Sequence, residues 1–201
     1  MFVWLLVACF VANGAFSVCA PILPVELGAR GVPGGYIGLT FTAYSVGIVF
    51  WSPVVGKYLV GRYAAHNLLG GSLAVLGVSF MCLSLIVYLR DSTTILIVTC
   101  VLRTMQGIAG TTQTTTGMAM LAKHASPDTK DKWLGYYTSL WGVGSMTGPI
   151  LGSALYSMLG FEKMLYVYGG LELLFALFLR HKIKHCPPTP EKPTNSEELI
   201  S

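Results

Sequence analysis

Charge is what this sequence has least of. Of its 201 residues 11% are charged and 53% are hydrophobic, where a soluble domain carries about 25% charged residues. With a mean hydropathy of +0.63, a soluble core is excluded. The net charge of +4 is scattered through short connecting stretches and never gathers on one amphipathic face, which argues against a nucleic-acid partner and makes the charges markers of membrane topology. Five cysteines, Cys9, Cys19, Cys82, Cys100 and Cys186, fall in apolar runs or in the polar C-terminal stretch. None falls in a loop on the non-cytoplasmic side, so no disulfide framework is implied. His66, His124, His181 and His185 lack metal spacing, and no Ser-His-Asp arrangement, phosphate loop or metal cluster can be assembled. The chain is expected to be no enzyme and to need neither cofactor nor metal.

What is present is a series of long apolar runs. A helix of ~20 residues matches a hydrocarbon core of ~30 Å. Residues 2–25, 36–55, 68–88, 95–121, 134–159 and 164–179 read as six such spans, giving an all-α membrane protein. Pro21-Ile22-Leu23-Pro24 should kink or end the first span. A cleaved signal peptide competes for this segment, but it lacks a basic start and Pro21 follows the small residues. After the sixth span the composition turns polar and Pro-rich. The expected domains are therefore a six-span region, 1–182, and a disordered cytoplasmic tail or start of a central loop, 183–201.

Orientation follows from the basic residues. Lys57, Arg62, Lys123, Lys130, Lys132, Arg180, Lys182 and Lys184 fall on one side, against Arg30, Arg90 and Lys163 on the other. The richer side is expected to be cytoplasmic, together with both termini. Glu197-Glu198-Leu199-Ile200 is similar to an acidic dileucine sorting signal, with Asn195 in place of the expected acid. An organelle membrane, vesicular or endolysosomal, and the plasma membrane both stay open.

The fourth run is the unusual one, because it holds Arg103, two glutamines and a run of threonines. A central arginine costs about 2.5–3.5 kcal/mol on insertion scales, so Arg103 should face a bundle interior or a wet cavity. At helical spacing Arg103, Gln106, Gly107, Gly110, Gln113, Thr114 and Gly117 share one stripe. Thr111 to Thr116 are expected to bond back to carbonyls one turn earlier. Glu172, near the middle of the sixth run, should be neutral, paired or carrying a proton. Asn13 is the polar residue of the first run. Asn13, Arg103, Gln106, Gln113 and Glu172 are thus the candidates for a substrate or proton pathway. Trp51, Trp133, Trp141, Tyr136 and Tyr137 are expected mostly as interfacial anchors.

In the fifth run Gly142-x-Gly144-x-x-x-Gly148-Pro149-x-x-Gly152 clears side chains from one face, largely at four-residue spacing, so that a neighbour packs closely. Pro149 should bend the helix. This motif, with Arg103-x-x-Gln106-Gly107 and the Pro21–Pro24 segment, resembles the major facilitator superfamily. The glycine motif is similar to its antiporter signature, and the chain looks closest to the vesicular amine or polyamine transporter-like and drug/proton antiporter branches. Two positions differ from those branches. Val60 or Gly61 stands where the loop after the second span usually has an Asp, and Ala12-Asn13 stands where amine transporters place an Asp beside an Asn.

The resemblance implies half of a transporter that has twelve spans in two six-helix halves. It further implies secondary transport of a small organic solute, an amine, polyamine or drug-like cation, by proton-coupled antiport. The expected partners are membrane lipid, that solute, protons and a second half, whether a copy of this chain, a separate chain or the rest of a longer gene product. The alternative expectation is a non-transporting subunit or truncated product that uses the fold for packing.

Overall fold

A computed structural model describes residues 2–184, with side chains through residue 182. Among the described residues every regular element is helical: α1 (Phe2–Ala29), α2 (Gly34–Val54), α3 (Ala65–Ser84), α4 (Ser92–His124) and α5 (Lys130–Lys184). α2 runs on into a π-helical turn, Val55–Leu59, and α3 into a 3-10 turn, Leu85–Tyr88. Four stretches are long and apolar enough to cross a membrane, Phe2–Ala29, Gly34–Leu59, Ala65–Tyr88 and Ser92–His124. They coincide with the first four expected spans. The fifth and sixth both lie inside α5, which Gly160 breaks into two arms, residues 130–159 and 161–184. Gly160 has φ 78° and ψ 172°, a backbone region essentially closed to residues with a Cβ. The loop expected over 160–163 thus shrinks to one residue. The expected tail beyond Lys184 lies outside the described residues.

α1 departs from its expected end. Pro21 and Pro24 sit inside the helix, which continues to Ala29. Each proline forgoes one bond, to the carbonyl four residues earlier, but the turn after them is anchored by buried Ile22, Leu23 and Leu27. Termination comes instead from a glycine cap. Gly31 adopts φ 79°, and its amide donates to the Gly28 carbonyl at 3.1 Å while the Val32 amide donates to that of Leu27 at 3.1 Å. That pair of bonds, with Val32 and Leu27 both buried, is the Schellman arrangement. α4 starts as firmly: Asp91 accepts from the Thr94 amide and hydroxyl, both at 2.7 Å, a side-chain cap of the first turn. The Thr94 hydroxyl and amide hold the Asp91 carboxyl below its ordinary range.

Packing is organised by glycine crossings. α1 lies along the first arm of α5, α3 along the second arm and α4, and α2 along α4. A Cβ on Gly144 would sit 2.8 Å from the Phe10 carbonyl, one on Gly148 would collide with Ser17 and Gly14, and one on Gly152 would lie 2.9 Å from Val18. Gly77 and Gly169 face each other's carbonyls across α3 and α5 at 2.7 and 2.6 Å by the same measure. Gly47 meets the Thr104 carbonyl at 2.5 Å, and Gly107 meets Tyr44, across α2 and α4. Helices approach this closely only where a glycine removes the Cβ from at least one side. Gly142 differs from its three companions, because a Cβ there meets nothing within 4 Å; it precedes Gly144 by two residues and so points elsewhere.

At one end the connections are tied together. Arg30 pairs with Glu26 at 2.7 Å and donates to the Val87 carbonyl at 2.9 Å. Ser92 donates to the Arg30 carbonyl at 3.1 Å, and Tyr88 to Glu162 at 2.8 Å. The connections around residues 30, 90 and 160 therefore share one end of the bundle, the end expected to carry the fewer basic residues. Gly148→Ala should destabilise the fold by about 1–3 kcal/mol through overpacking, whereas Gly142→Ala should leave it unchanged. Thermal melting in detergent checks this, and equal melting of the two variants would sink the assignment of the α1–α5 contact.

Candidate functional site

Arg103 has no exposed surface. Its Nη1 donates to Gln106 Oε1 at 3.1 Å, a bond to the next turn of α4. Around the guanidinium lie three rings from α1 and α2: Phe16, Phe41 and Tyr44, with centroids 5.7, 5.2 and 5.8 Å away. Phe16 and Tyr44 also stack on each other, 4.2 Å apart at 22°. A cation over ring faces is attracted by their quadrupoles. Arg103 Nε and Nη2, Gln106 Nε2 and Gln113 Nε2 nonetheless find no acceptor.

About two to three turns along α4 from Arg103 a cavity of about 360 Å³ opens between the helices. Its wall includes Asn13 and Phe16 from α1, Tyr44 from α2, Gln113 and Thr114 from α4 and Trp141 from the first arm of α5. The stripe expected on α4 is therefore buried but divided. Gln113 and Thr114 reach the cavity; Gly107 is taken up by the α2 crossing, Gly117 lies against the Tyr137 ring, and Arg103 with Gln106 sits behind the stacked Phe16–Tyr44 pair. Asn13 joins them through α1, where it donates to the Cys9 carbonyl at 3.2 Å.

Glu172 is kept apart from this group. It is fully buried on the second arm of α5, where its Cβ lies 3.2 Å from the Cβ position of Gly77 on α3, and both carboxyl oxygens lack a partner. Of the threonines expected to bond back, Thr112 and Thr114 donate to the Ile108 and Gly110 carbonyls at 2.8 and 2.9 Å, whereas the buried Thr116 hydroxyl has no partner. Thr112 also accepts from the Trp51 indole at 3.1 Å.

The anchor reading of the aromatics is corrected at three positions. Tyr137 is fully buried against Gly117, its hydroxyl 3.5 Å from the Thr114 carbonyl. Trp51 is spent on Thr112, and Trp141 lines the cavity. Phe16, Phe41 and Tyr44 were not singled out by sequence reasoning at all. In an apolar run an aromatic residue carries no mark of what it faces; only the position of Arg103 on a neighbouring helix gives these three a role.

Gln113→Cys, in a cysteine-free background, should react with a small polar thiol reagent at least tenfold faster than Glu172→Cys, because only the first lines the cavity. Equal rates would remove the distinction.

The comparisons with known proteins agree with this architecture. The profile described as Major Facilitator Superfamily matches residues 5–200. The chain is 26% identical over 159 residues to the MFS-type transporter SLC18B1 of Homo sapiens, covering 79% of this chain and 34% of that protein. The Mus musculus protein of the same name is 27% identical over the same shares. The multidrug efflux pump SdrM of Staphylococcus aureus (strain N315) is 26% identical over 163 residues, 78% of this chain and 32% of the pump. The chain thus spans about a third of the length of the curated relatives it matches. Family profile, helical architecture and apolar spans converge, and the chain belongs to the Major Facilitator Superfamily.

Proposed function

We propose that the chain forms one wall of a secondary transporter that moves a small organic solute through the cavity beside Asn13, Tyr44 and Gln113. The observation that carries this reading is the cavity itself: polar side chains and aromatic rings meet in a membrane bundle, and two of those rings, Phe16 and Tyr44, also contact a buried arginine. In such folds solute sites lie near the midplane between two repeats that rock against each other. A second six-helix half would supply the opposite wall. α2 supports this, because it leaves Val46, Val49 and Phe50 exposed and packs chiefly on α4. Proton-coupled antiport is the finer form of the reading, and Glu172 is its proton carrier: a carboxyl without partners inside a membrane bundle is a functional group by default. Amines, polyamines and drug-like cations are the solutes that the branch resemblance implies, yet among the described residues no carboxylate lines the cavity to receive them.

Reconstituted protein should collapse an imposed proton gradient when a transported solute is added. Arg103→Leu should insert normally and lower that rate at least tenfold, since a leucine removes the five-donor fork along with the charge. Glu172→Gln should abolish proton coupling while solute exchange continues. Unchanged coupling in Glu172→Gln would move the proton elsewhere, and normal transport by Arg103→Leu would reduce the arginine to a structural part.

Both termini are assigned to the cytoplasm by the excess of basic residues at the end opposite Arg30. Accessibility tags in 26–35 and 89–94 should report the non-cytoplasmic side, and tags in 57–66 and 123–132 the cytoplasm. The reverse labelling pattern would invert the orientation.

A further inference from the structure

Among the described residues Arg103 is a buried charge without a counter-ion. Among the described residues the ion pair formed is Arg30–Glu26, at the tied loop end of the bundle, and Glu172 is engaged with neither Arg103 nor any other partner. Three rings cover the guanidinium and one glutamine oxygen accepts from it. Donors predominate among the buried α4 atoms left without a partner: Arg103 Nε, Arg103 Nη2, Gln106 Nε2 and Gln113 Nε2, beside the Thr99 and Thr116 hydroxyls, which can also accept. A buried cation with unmatched donors is costly until an acceptor of opposite charge arrives. A planar guanidinium fork matches a carboxylate in shape as well as in charge.

Resting on the transport reading above, we propose that the solute is a small organic anion whose carboxylate or equivalent head group pairs with Arg103 and Gln106 while its apolar body lies against Phe16, Tyr44 and Trp141. The stacked Phe16–Tyr44 pair stands between the cavity and the guanidinium. α1 and α2 touch little elsewhere, so small relative motion of these helices parts the rings and admits the head group. A cavity of about 360 Å³ suits a single-ring acid, being near the lower end of ligand pockets of ~300–1,000 Å³. An amine meets the opposite conditions, with like charge at Arg103 and no carboxylate in the wall.

The test uses the full chain in lipid nanodiscs near pH 7 and three isosteric probes, benzoate, benzamide and benzylamine. Tryptophan fluorescence reads binding, and loss of the signal in Trp141→Phe locates it. Benzoate should bind at least tenfold tighter than the other two. That preference should vanish in Arg103→Gln and persist weakly in Arg103→Lys, with thermal melting confirming that both variants are folded. Equal binding of benzamide, or a preference for benzylamine, would overturn the anion proposal and leave the cavity as a solute site. Absence of any response to all three probes would overturn both the anion class and the cavity reading on which it rests.

Discussion

Backbone-to-backbone contact at glycine is the constraint on which the rest of the bundle depends. In lipid the apolar surfaces of helices gain little by leaving one solvent for another, so association rests on van der Waals contact and on the polar groups brought within reach. Gly144 and Gly148 bring α5 onto α1, Gly77 and Gly169 bring α3 onto the second arm, and Gly47 and Gly107 bring α2 onto α4. Each crossing then delivers a polar consequence. Ser17 donates to the Gly144 carbonyl across the first at 3.2 Å, Thr104 to the Ala43 carbonyl across the third at 3.2 Å, and Glu172 is buried beside the second. The cavity opens where no glycine pair closes the gap, between Asn13, Tyr44 and Gln113.

The crossing at Gly47 and Gly107 also accounts for the company Arg103 keeps. With α2 drawn onto α4, Tyr44 one turn before Gly47 and Phe41 nearly two turns before it come over the guanidinium. Cation–ring contacts contribute about 0.5–2 kcal/mol each, a partial compensation for burying the charge. Nε and Nη2 are still left without a hydrogen-bond acceptor. The arginine is thus stabilised enough to stay inside and still has donors to offer.

Composition and periodicity made the class legible. Long apolar runs marked the helices, and the first four are recovered with ends shifted by a few residues. The misplacements have specific causes. Pro21 and Pro24 read as a stop because a proline costs a backbone bond, yet in a buried helix two scattered losses are outweighed by the packing of Ile22, Leu23 and Leu27; the actual stop, Gly31, carried the glycine-cap signal. Gly160 was visible as a glycine but not as a one-residue reversal, since nothing local distinguishes it from Gly135 or Gly142. At the site, the α4 polar residues were legible because polarity is rare in an apolar run. Their division into a cavity group and a group behind two rings was not, because it depends on which residues of α1 and α2 lie opposite. Gly142 belonged to a recognisable motif and still faces open space, so a motif fixes spacing more surely than contact.

The two ends of the bundle are built differently, and this bears on how it moves. At one end Arg30, Glu26, Ser92, Tyr88 and Glu162 bridge connections that are distant in sequence, and Tyr156 reaches Glu26 at 3.4 Å. At the other, Lys57 lies over the ring of Tyr58 and Lys132 over that of Tyr136; both partners are local. Exposed bridges contribute little singly, but several on short connections restrict relative motion more than rings stacked within one helix do. Rigid-body rocking needs one end to hold while the other opens. The tied end fits the pivot, and the π-helical turn Val55–Leu59 puts a change of helical pitch in α2 at the free end. Motion there would tilt Tyr44 on α2 relative to Phe16 on α1, the displacement that the proposed binding at Arg103 requires.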